Sequence, residues 1–311
     1  MESPAIARYR QAERALWAYY GAAPAEHFLD LPSPNVRVRV QELGAGAPVL
    51  FIHGGPNAGT TWAPLAAQLQ AFRCLVLDRP GCGLSAPLPA DGRPLQVVMV
   101  EVLVALLDRL EVPHVHLVVS SFGGWCGLML ARAHPERVQR MVQHGCPGFA
   151  PHMRVPAFLR LLTLPGAGAL LSRAQRRPTT VGAKLSFRQM GHTAALRANV
   201  IPDVFWNWSA ALGACTGTFA SEIGLIKTVV GLRGVRGGMT LTLDELRQVR
   251  APTAFFWGDA DTFGGIAIAR HVVQAMPDAT LEVISGGGHL PWLDDPDHAA
   301  RYTEAFLRGG P

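Results

Sequence analysis

Lysine is almost absent from this sequence, and charge of either sign is sparse. Lys184 and Lys227 are the only lysines, so the net charge of +5 comes from arginines scattered along the chain. A nucleic-acid-binding protein would concentrate its basic residues in a patch or along one helix. We therefore expect no nucleic-acid partner and interpret the basic balance as a solvated surface.

Cysteine is also scarce, and long apolar runs are missing. The five cysteines are odd in number and no two stand in C-x-x-C spacing. This pattern argues against a disulfide framework or a zinc site and favours a reducing compartment. Residues 1–20 lack the apolar core of a signal peptide, and no uncharged apolar run reaches the ~18 residues of a membrane span. We expect a cytoplasmic protein with no membrane partner.

Short, nearly continuous apolar runs alternate with helical patterns through much of the chain. The segment Asn35–Leu43 alternates valines with polar residues, as a half-exposed strand does. Buried strands separated by helices indicate βαβ units and a parallel sheet, so the fold class is α/β. The predicted buried strands are Pro48–Ile52, Phe72–Leu77, Val115–Val119, Met141–Gln143, Pro252–Trp257 and Thr280–Ile284. The predicted helices between and around them are 4–20, Thr60–Gln70, Leu95–Leu110, Phe122–Ala133, Gly264–Met276 and His298–Leu307.

This alternation stops at Pro147 and resumes near Leu246. The intervening 147–246 segment has helical patterns, Pro and Gly punctuation and no strand-like run. We predict a core in two parts, residues 1–146 and 247–311, and a helical lid at 147–246.

A strand turns sharply into a helix at Val118-Val119-Ser120-Ser121-Phe122-Gly123-Gly124. A strained turn of this kind holds a serine out at the end of the sheet, and glycines let the helix pass close to neighbouring strands. Ser121 is the candidate nucleophile because Gly123 follows it by two positions. Val119 stands where the G-x-S-x-G pattern has its first glycine. An ordinary strand–turn–helix with a capping serine is the alternative.

The Gly-rich loop His53-Gly54-Gly55-Pro56 follows the strand Pro48–Ile52. Acyl transfer needs amide donors aimed at the developing oxyanion. Pro56 has no N–H, so the candidate oxyanion donors are the backbone N–H groups of Gly55 and Phe122. His53 begins the loop and is expected to be structural.

An acid and a histidine follow the last two predicted strands. Asp259 and Asp261 both follow Phe255-Phe256-Trp257-Gly258, and either can orient a histidine. His289 follows three glycines on a loop that can reach over the sheet edge, as a general base must. The order Ser, Asp, His along the chain agrees with one of the known triad orders.

Together these motifs make the chain resemble the α/β-hydrolase fold, in the capped branch of epoxide-hydrolase-like and C–C-hydrolase-like enzymes. The carriers of the resemblance are an H-G-x-P loop at His53, a D-x-x-G-x-G-x-S turn from Asp78 to Ser85, a G-x-x-D stretch ending at Asp261, and the His289 loop. The resemblance favours Asp261 over Asp259. It implies a mostly parallel eight-stranded sheet flanked by helices, with the 147–246 cap inserted after strand six.

A serine at the turn argues against epoxide and halide chemistry, for which relatives in this branch use aspartate. We therefore expect a serine hydrolase acting on a small-molecule substrate without metal or cofactor. Ester cleavage is the first hypothesis; the alternatives are C–C bond hydrolysis of an activated ketone and a non-catalytic ligand-binding protein. Trp206 and Trp208 are the predicted substrate-contacting residues of the cap, and Phe205, Met190 and His192 are further candidates for the pocket wall.

Overall fold

The computed structural model describes residues 3–89, 92–164, 166 and 179–310. An eight-stranded sheet runs through it in the order β1-β2-β4-β3-β5-β6-β7-β8. Its strands are β1 Ala25–Pro32, β2 Asn35–Leu43, β3 Pro48–Ile52, β4 Arg73–Asp78, β5 Val115–Ser120, β6 Val138–His144, β7 Thr253–Gly258 and β8 Ala279–Ile284.

Helices flank the sheet, and the described residues between β6 and β7 form further helices. In chain order they are α1 Pro4–Tyr19, α2 Ala63–Ala66, α3 Leu95–Arg109, α4 Ser121–Ala133, α5 Ala157–Leu161, α6 Thr180–Gln189, α7 Thr193–Ala198, α8 Asp203–Cys215, α9 Thr218–Val229, α10 Leu243–Arg247, α11 Ile266–Ala275 and α12 Pro296–Leu307. Among the described residues, no helix combines the length and the apolar character that crossing a bilayer requires.

Strand β2 is the one strand of this sheet that runs against the others. β2 runs antiparallel to both β1 and β4, whereas every pair from β4 to β8 is parallel. The carboxyl ends of β3, β5, β7 and β8 therefore meet at one edge, where open α/β sheets bind their ligands. The sequence motifs that follow these strands are brought to that edge.

Alternate residues of the strands enter two separate cores, one on each face of the sheet. On β3, Leu50 and Ile52 pack toward α3, α4 and α11, whereas Val49 and Phe51 pack toward α1, α2 and α12. This two-sided burial explains why the parallel strands appear as continuous apolar runs. The mostly parallel α/β sheet predicted from the sequence is confirmed.

Helix α1 joins the core to the inserted segment. Leu16 and Trp17 are buried, and α1 packs along α8. Glu13 of α1 is ion-paired with Arg39 of β2, which also contacts Asp78 at 3.0 Å, and all three side chains are buried. Removing one partner of a buried ion pair is strongly destabilising, because the other charge is left buried and unpaired. The ion pairs therefore fix α1 on the sheet while its other side holds α8.

The inserted segment differs from its prediction in one detail. Val230–Gly231 pairs antiparallel with Gly234–Val235 in a small hairpin, where only helices were expected. Each strand is two residues long, which is too short to leave a periodic signal in the sequence.

Candidate active site

The turn between β5 and α4 presents Ser121 at the carboxyl edge of the sheet. Ser121 has a φ of 51°, a left-handed conformation that is uncommon for residues other than glycine. A Cβ on Gly123 would lie 2.1 Å from the Ile52 carbonyl oxygen, so only glycine lets α4 approach β3 this closely. The turn is thus held in a strained form by contacts on the neighbouring strand.

Val119 occupies the position where the serine motif usually has glycine. Its side chain is fully buried and faces Gly127 of α4, where a Cβ would lie 3.1 Å from Val119 Cγ1. The missing side chain at Gly127 leaves room for the valine. The departure from the G-x-S-x-G pattern is therefore accommodated by the helix.

Asp261 and His289 form a buried pair at the same edge. The imidazole Nδ1 of His289 lies 2.9 Å from Asp261 Oδ2, and both side chains are at most 5% exposed. Asp261 Oδ2 also accepts the N–H of Cys146 at 2.9 Å, and its Oδ1 accepts the N–H of Phe263 at 2.8 Å. With Nδ1–H donated to the carboxylate, His289 Nε2 is left as an acceptor.

Asp259, the competing acid, has a different place. Its side chain is exposed, and its Oδ1 accepts the N–H of Gly286 at 2.7 Å. It therefore ties the end of β7 to the glycine loop and does not contact His289.

His53 is buried and held by hydrogen bonds on both ring nitrogens. Its Nε2 accepts the N–H of Arg79 at 3.1 Å, and its Nδ1 lies 2.6 Å from the Gly54 carbonyl oxygen. Burial, and then the nearby Arg79 cation, hold the pKa of His53 well below its usual value. A buried imidazole with both nitrogens engaged in hydrogen bonds fits the structural role expected for His53.

Arg79 fixes the orientation of the Gly-rich loop. Its guanidinium donates to the carbonyls of His53 at 2.8 Å and Gly54 at 3.0 Å. In a trans peptide the C=O and the following N–H point in opposite directions. The N–H of Gly55 therefore points away from Arg79, and Gly55 lines the cavity that also contains Ser121. Phe122 is the second residue of α4, where a backbone N–H has no partner within the helix.

A cavity of about 520 Å³ opens between the sheet edge and the inserted segment. Ser121, His289 and Gly55 line its floor, and residues of α6, α8 and α9 line its opposite wall. The structure thus brings three of the sequence-predicted residues to one cavity and places Asp261 directly behind His289.

The predicted pocket residues of the cap divide into two groups. Trp208, Phe205 and Met190 line the cavity. Trp206 points into the interior of the inserted segment, where its indole N–H donates to the Ile201 carbonyl at 3.2 Å. Its place among other aromatic rings explains why it does not reach the cavity, and we withdraw it as a substrate-contacting residue. His192 is likewise turned away from the cavity, toward the His289 loop.

Glu222 of α9 is a cavity residue that the sequence analysis missed. Its carboxylate is 4% exposed and pairs with Arg79 at 2.9 Å. A Cβ on Gly55 would lie 1.7 Å from Glu222 Oε2, so the carboxylate sits directly on the Gly-rich loop. Burial alone would lower the pKa of Arg79, but the Glu222 carboxylate holds it above its usual value. The available signal was that Glu222 is the one carboxylate of the helix Thr218–Val229.

Metal ligation has no support in the part of the chain that the structure describes. There, no group of three or more His, Cys, Asp or Glu side chains could hold an ion. Among the described residues that line the cavity, the titratable side chains are His289 and Glu222, and each has a partner behind it, Asp261 and Arg79 respectively.

Comparisons with known proteins agree with this architecture. An uncharacterized protein of Mycobacterium tuberculosis is 27% identical over 276 residues, which cover 85% of this chain and 76% of that protein. The 2-hydroxy-6-oxononadienedioate/2-hydroxy-6-oxononatrienedioate hydrolase of Cupriavidus pinatubonensis is 26% identical over 280 residues, covering 87% and 90%.

Among solved structures, the naproxen esterase of Bacillus subtilis superimposes with a TM-score of 0.73 and 17% identity, covering 99% of both chains. At that identity the likeness shows the fold alone. The family model for the alpha/beta hydrolase fold matches residues 47–296, which is most of the chain. The chain therefore belongs to the α/β-hydrolase-fold family, and it is a hydrolase.

Proposed function

We propose that this hydrolase cleaves a small-molecule carboxylic ester through an acyl-enzyme. Ser121 is the nucleophile, His289 the general base and Asp261 the acid that orients it. The observation that carries the proposal is the buried 2.9 Å contact between Asp261 and His289 beside the cavity that Ser121 lines. A pair of this kind fixes the imidazole tautomer and stabilises the cation that forms when the base takes a proton.

The reaction proceeds in two halves. His289 Nε2 takes the Ser121 hydroxyl proton while Oγ bonds to the ester carbonyl carbon, whose oxygen becomes negative. The N–H groups of Gly55 and Phe122 stabilise that oxyanion; removing a single such donor typically costs ~3–4 kcal/mol. When the intermediate collapses, the ester C–O bond breaks and the leaving alcohol takes the proton from His289.

Water then enters the second half. His289 removes a proton from water, and the hydroxyl oxygen attacks the acyl carbon of the Ser121 ester. The second oxyanion uses the same donors, and its collapse returns the proton to Ser121 Oγ and releases the carboxylic acid. Asp261 stabilises the His289 imidazolium once in each half of the reaction.

Residues 147–246 act as a cap in this proposal. Apolar side chains from α6, α8 and α9, including Phe187, Phe205 and Ile223, face the sheet edge across the cavity. Such a wall sorts substrates by shape and excludes water from the reacting carbonyl. This supports an apolar acyl or alcohol group as the part of the substrate that the cap contacts.

C–C bond hydrolysis is the second candidate, supported by the named activity of the Cupriavidus relative. That substrate is a dioate, which carries carboxylates. Among the described residues of the cavity wall there is no Lys or Arg, and the Glu222 carboxylate faces the cavity. Because Glu222 is already neutralised by its pair with Arg79, the described wall offers no free cation to bind a carboxylate, which favours a neutral ester over a dianionic ketone.

The test combines covalent labelling with substrate comparison. The protein should react with a fluorophosphonate probe and hydrolyse p-nitrophenyl butyrate faster than it consumes a ring-cleavage dioate, followed by its visible absorbance. Ser121→Ala should abolish labelling and lower kcat by several orders of magnitude. Ser120→Ala is the matched control, because Ser120 is fully buried one residue earlier.

Three outcomes would contradict the proposal. Labelling that persists in Ser121→Ala but disappears in Ser120→Ala would move the nucleophile. Faster consumption of the dioate would favour C–C hydrolysis. Stoichiometric retention of ester without turnover would favour a ligand-binding protein.

A further inference from the structure

The loop that carries His289 is held by a chain of backbone hydrogen bonds. The N–H of Gly288 donates to Asp294 Oδ2 at 2.8 Å, and the N–H of His289 donates to the Met190 carbonyl at 3.0 Å. The N–H of Leu290 donates to the Nε2 of His192 at 3.1 Å. The first donor is the last of three consecutive glycines, residues 286–288, whose backbone is the least restricted of any residue type. The external acceptors therefore fix a loop that its own sequence leaves flexible.

His192 is the side chain that links these contacts. It is fully buried, and its Nδ1 lies 2.9 Å from Asp294 Oδ1. Because the Leu290 N–H donates to Nε2, that nitrogen is the acceptor and Nδ1 carries the hydrogen. The Asp294 carboxylate thus accepts from His192 through one oxygen and from Gly288 through the other. The His192–Asp294 pair bridges the residues before and after His289.

The same turn of the inserted segment also contacts the loop of the triad acid. The Thr262 hydroxyl donates to the Gln189 carbonyl at 2.9 Å. Gly191 has a φ of 99°, and a Cβ on it would lie 2.1 Å from the Ala260 carbonyl oxygen. A Cβ on Gly288 would lie 2.7 Å from the His192 ring. Residues 189–192 are therefore packed against the Asp261 loop and the His289 loop together.

We propose that His192 is a positioning residue, which with Asp294 holds the His289 imidazole in line with Ser121. This inference rests on the proposed serine-hydrolase function. His192 acts through the backbone of Leu290 and does not line the cavity. A displacement of a catalytic group by about 1 Å can cost about 10²-fold in rate, so a loosened His289 loop affects kcat more than substrate binding.

Two substitutions separate the hydrogen bonds from the packing. His192→Leu keeps an apolar volume but removes both bonds. His192→Gln places an amide oxygen close to the position of Nε2, where it can accept the Leu290 N–H. The leucine variant should lose about 10- to 100-fold in kcat on p-nitrophenyl butyrate, with KM within about twofold of wild type. Fluorophosphonate labelling of Ser121 should slow by a similar factor, and the glutamine variant should recover at least a tenth of the wild-type rates.

The control is His116→Leu, which removes a buried histidine from β5 at the end of the strand away from Ser121. Assays run well below the melting temperature of every variant. Two results overturn the inference: a kcat for His192→Leu within twofold of His116→Leu, or equal losses in His192→Leu and His192→Gln together with raised KM values. Wild-type protein that neither reacts with the probe nor turns over ester contradicts the proposed function itself.

Discussion

Asp261→Asn is the substitution that tests the proposed catalytic assembly most directly. The carboxylate accepts three hydrogen bonds, from His289 and Cys146 on Oδ2 and from Phe263 on Oδ1. An asparagine offers one acceptor oxygen and one NH2 group for the same three donors. In either orientation, one buried backbone N–H faces the NH2 group and loses its acceptor.

The two orientations have different consequences for His289. With the oxygen toward Phe263, the NH2 group donates to His289 Nδ1 and the imidazole proton moves to Nε2, the nitrogen that must accept from Ser121. With the oxygen toward His289, the tautomer is retained but the imidazolium loses its countercharge. The first arrangement corresponds to a loss of ~10⁴-fold in kcat in triads of this kind, or ~5 kcal/mol of transition-state stabilisation. The unpaired N–H lowers the free energy of unfolding by ~1–3 kcal/mol in both cases.

We therefore expect Asp261→Asn to lose about 10³- to 10⁴-fold in kcat and to remain folded. The assays are steady-state hydrolysis of p-nitrophenyl butyrate and urea unfolding. Asp259→Asn is the matched control: its side chain is exposed, and an amide oxygen can still accept the Gly286 N–H, so kcat should change only a few-fold. A larger loss in Asp259→Asn than in Asp261→Asn would refute the assignment, as would an Asp261→Asn protein with full activity.

Two further predictions concern the inserted segment and the response of stability to acid. Trp208→Ala should change the relative kcat/KM among acyl-chain lengths by up to ~10- to 200-fold, because Trp208 lines the cavity, whereas Trp206→Ala should lower the melting temperature with chain-length preference unchanged. The reverse pattern would show that the cavity wall is assigned wrongly. Burial lowers the pKa of His144 to about 3, so the unfolded chain binds a proton that the folded protein excludes. The neutral His144 therefore makes its full contribution to the free energy of unfolding above the unfolded pKa of ~6.5. That contribution falls by ~2 kcal/mol on acidification to pH 5. Urea titrations should show a smaller loss in His144→Phe, and an equal loss in both proteins would contradict this reasoning.

The sheet was predictable because its burial pattern is local. Strands β2 and β3 have the predicted ends, since alternation in one and a continuous apolar run in the other are visible in adjacent residues. Strand β6 was predicted as Met141–Gln143 but spans Val138–His144. Its first three residues were missed because Gln139 and Arg140, which are exposed and half-buried, interrupt the apolar run, and the buried polar His144 was missed at its end.

The helix predicted at Thr60–Gln70 was too long, whereas strand β6 was predicted too short. The structure has a 3₁₀ turn at Gly59–Trp62 followed by the single α-helical turn Ala63–Ala66. The apolar residues Trp62, Leu65 and Leu69 are buried as a helical pattern requires. Periodicity located the buried face correctly, but it did not indicate where the backbone leaves the helix.

The residues of the candidate triad could be predicted from the sequence, but the residues that hold their loops in place could not. Ser121, Asp261 and His289 each follow a strand, so local motifs located them. The contacts of Glu222 with Arg79 and of His192 with Leu290 join residues about a hundred or more positions apart. No local pattern encodes such pairs, because they arise only when the inserted segment packs on the sheet edge.

Helix α1 has a mechanical consequence for the inserted segment. A segment joined to a core only by its two chain connections can swing as a hinged flap. Here α8 is also laid along α1, and α1 is anchored to β2 by the buried Glu13–Arg39 pair. This contact adds to those of Glu222 with Arg79 and of residues 189–192 with the loops of Asp261 and His289, so rigid-body opening of the segment would require all of them to break. Shortening the chain past α1 would remove the support of α8 and should make opening of the inserted segment easier.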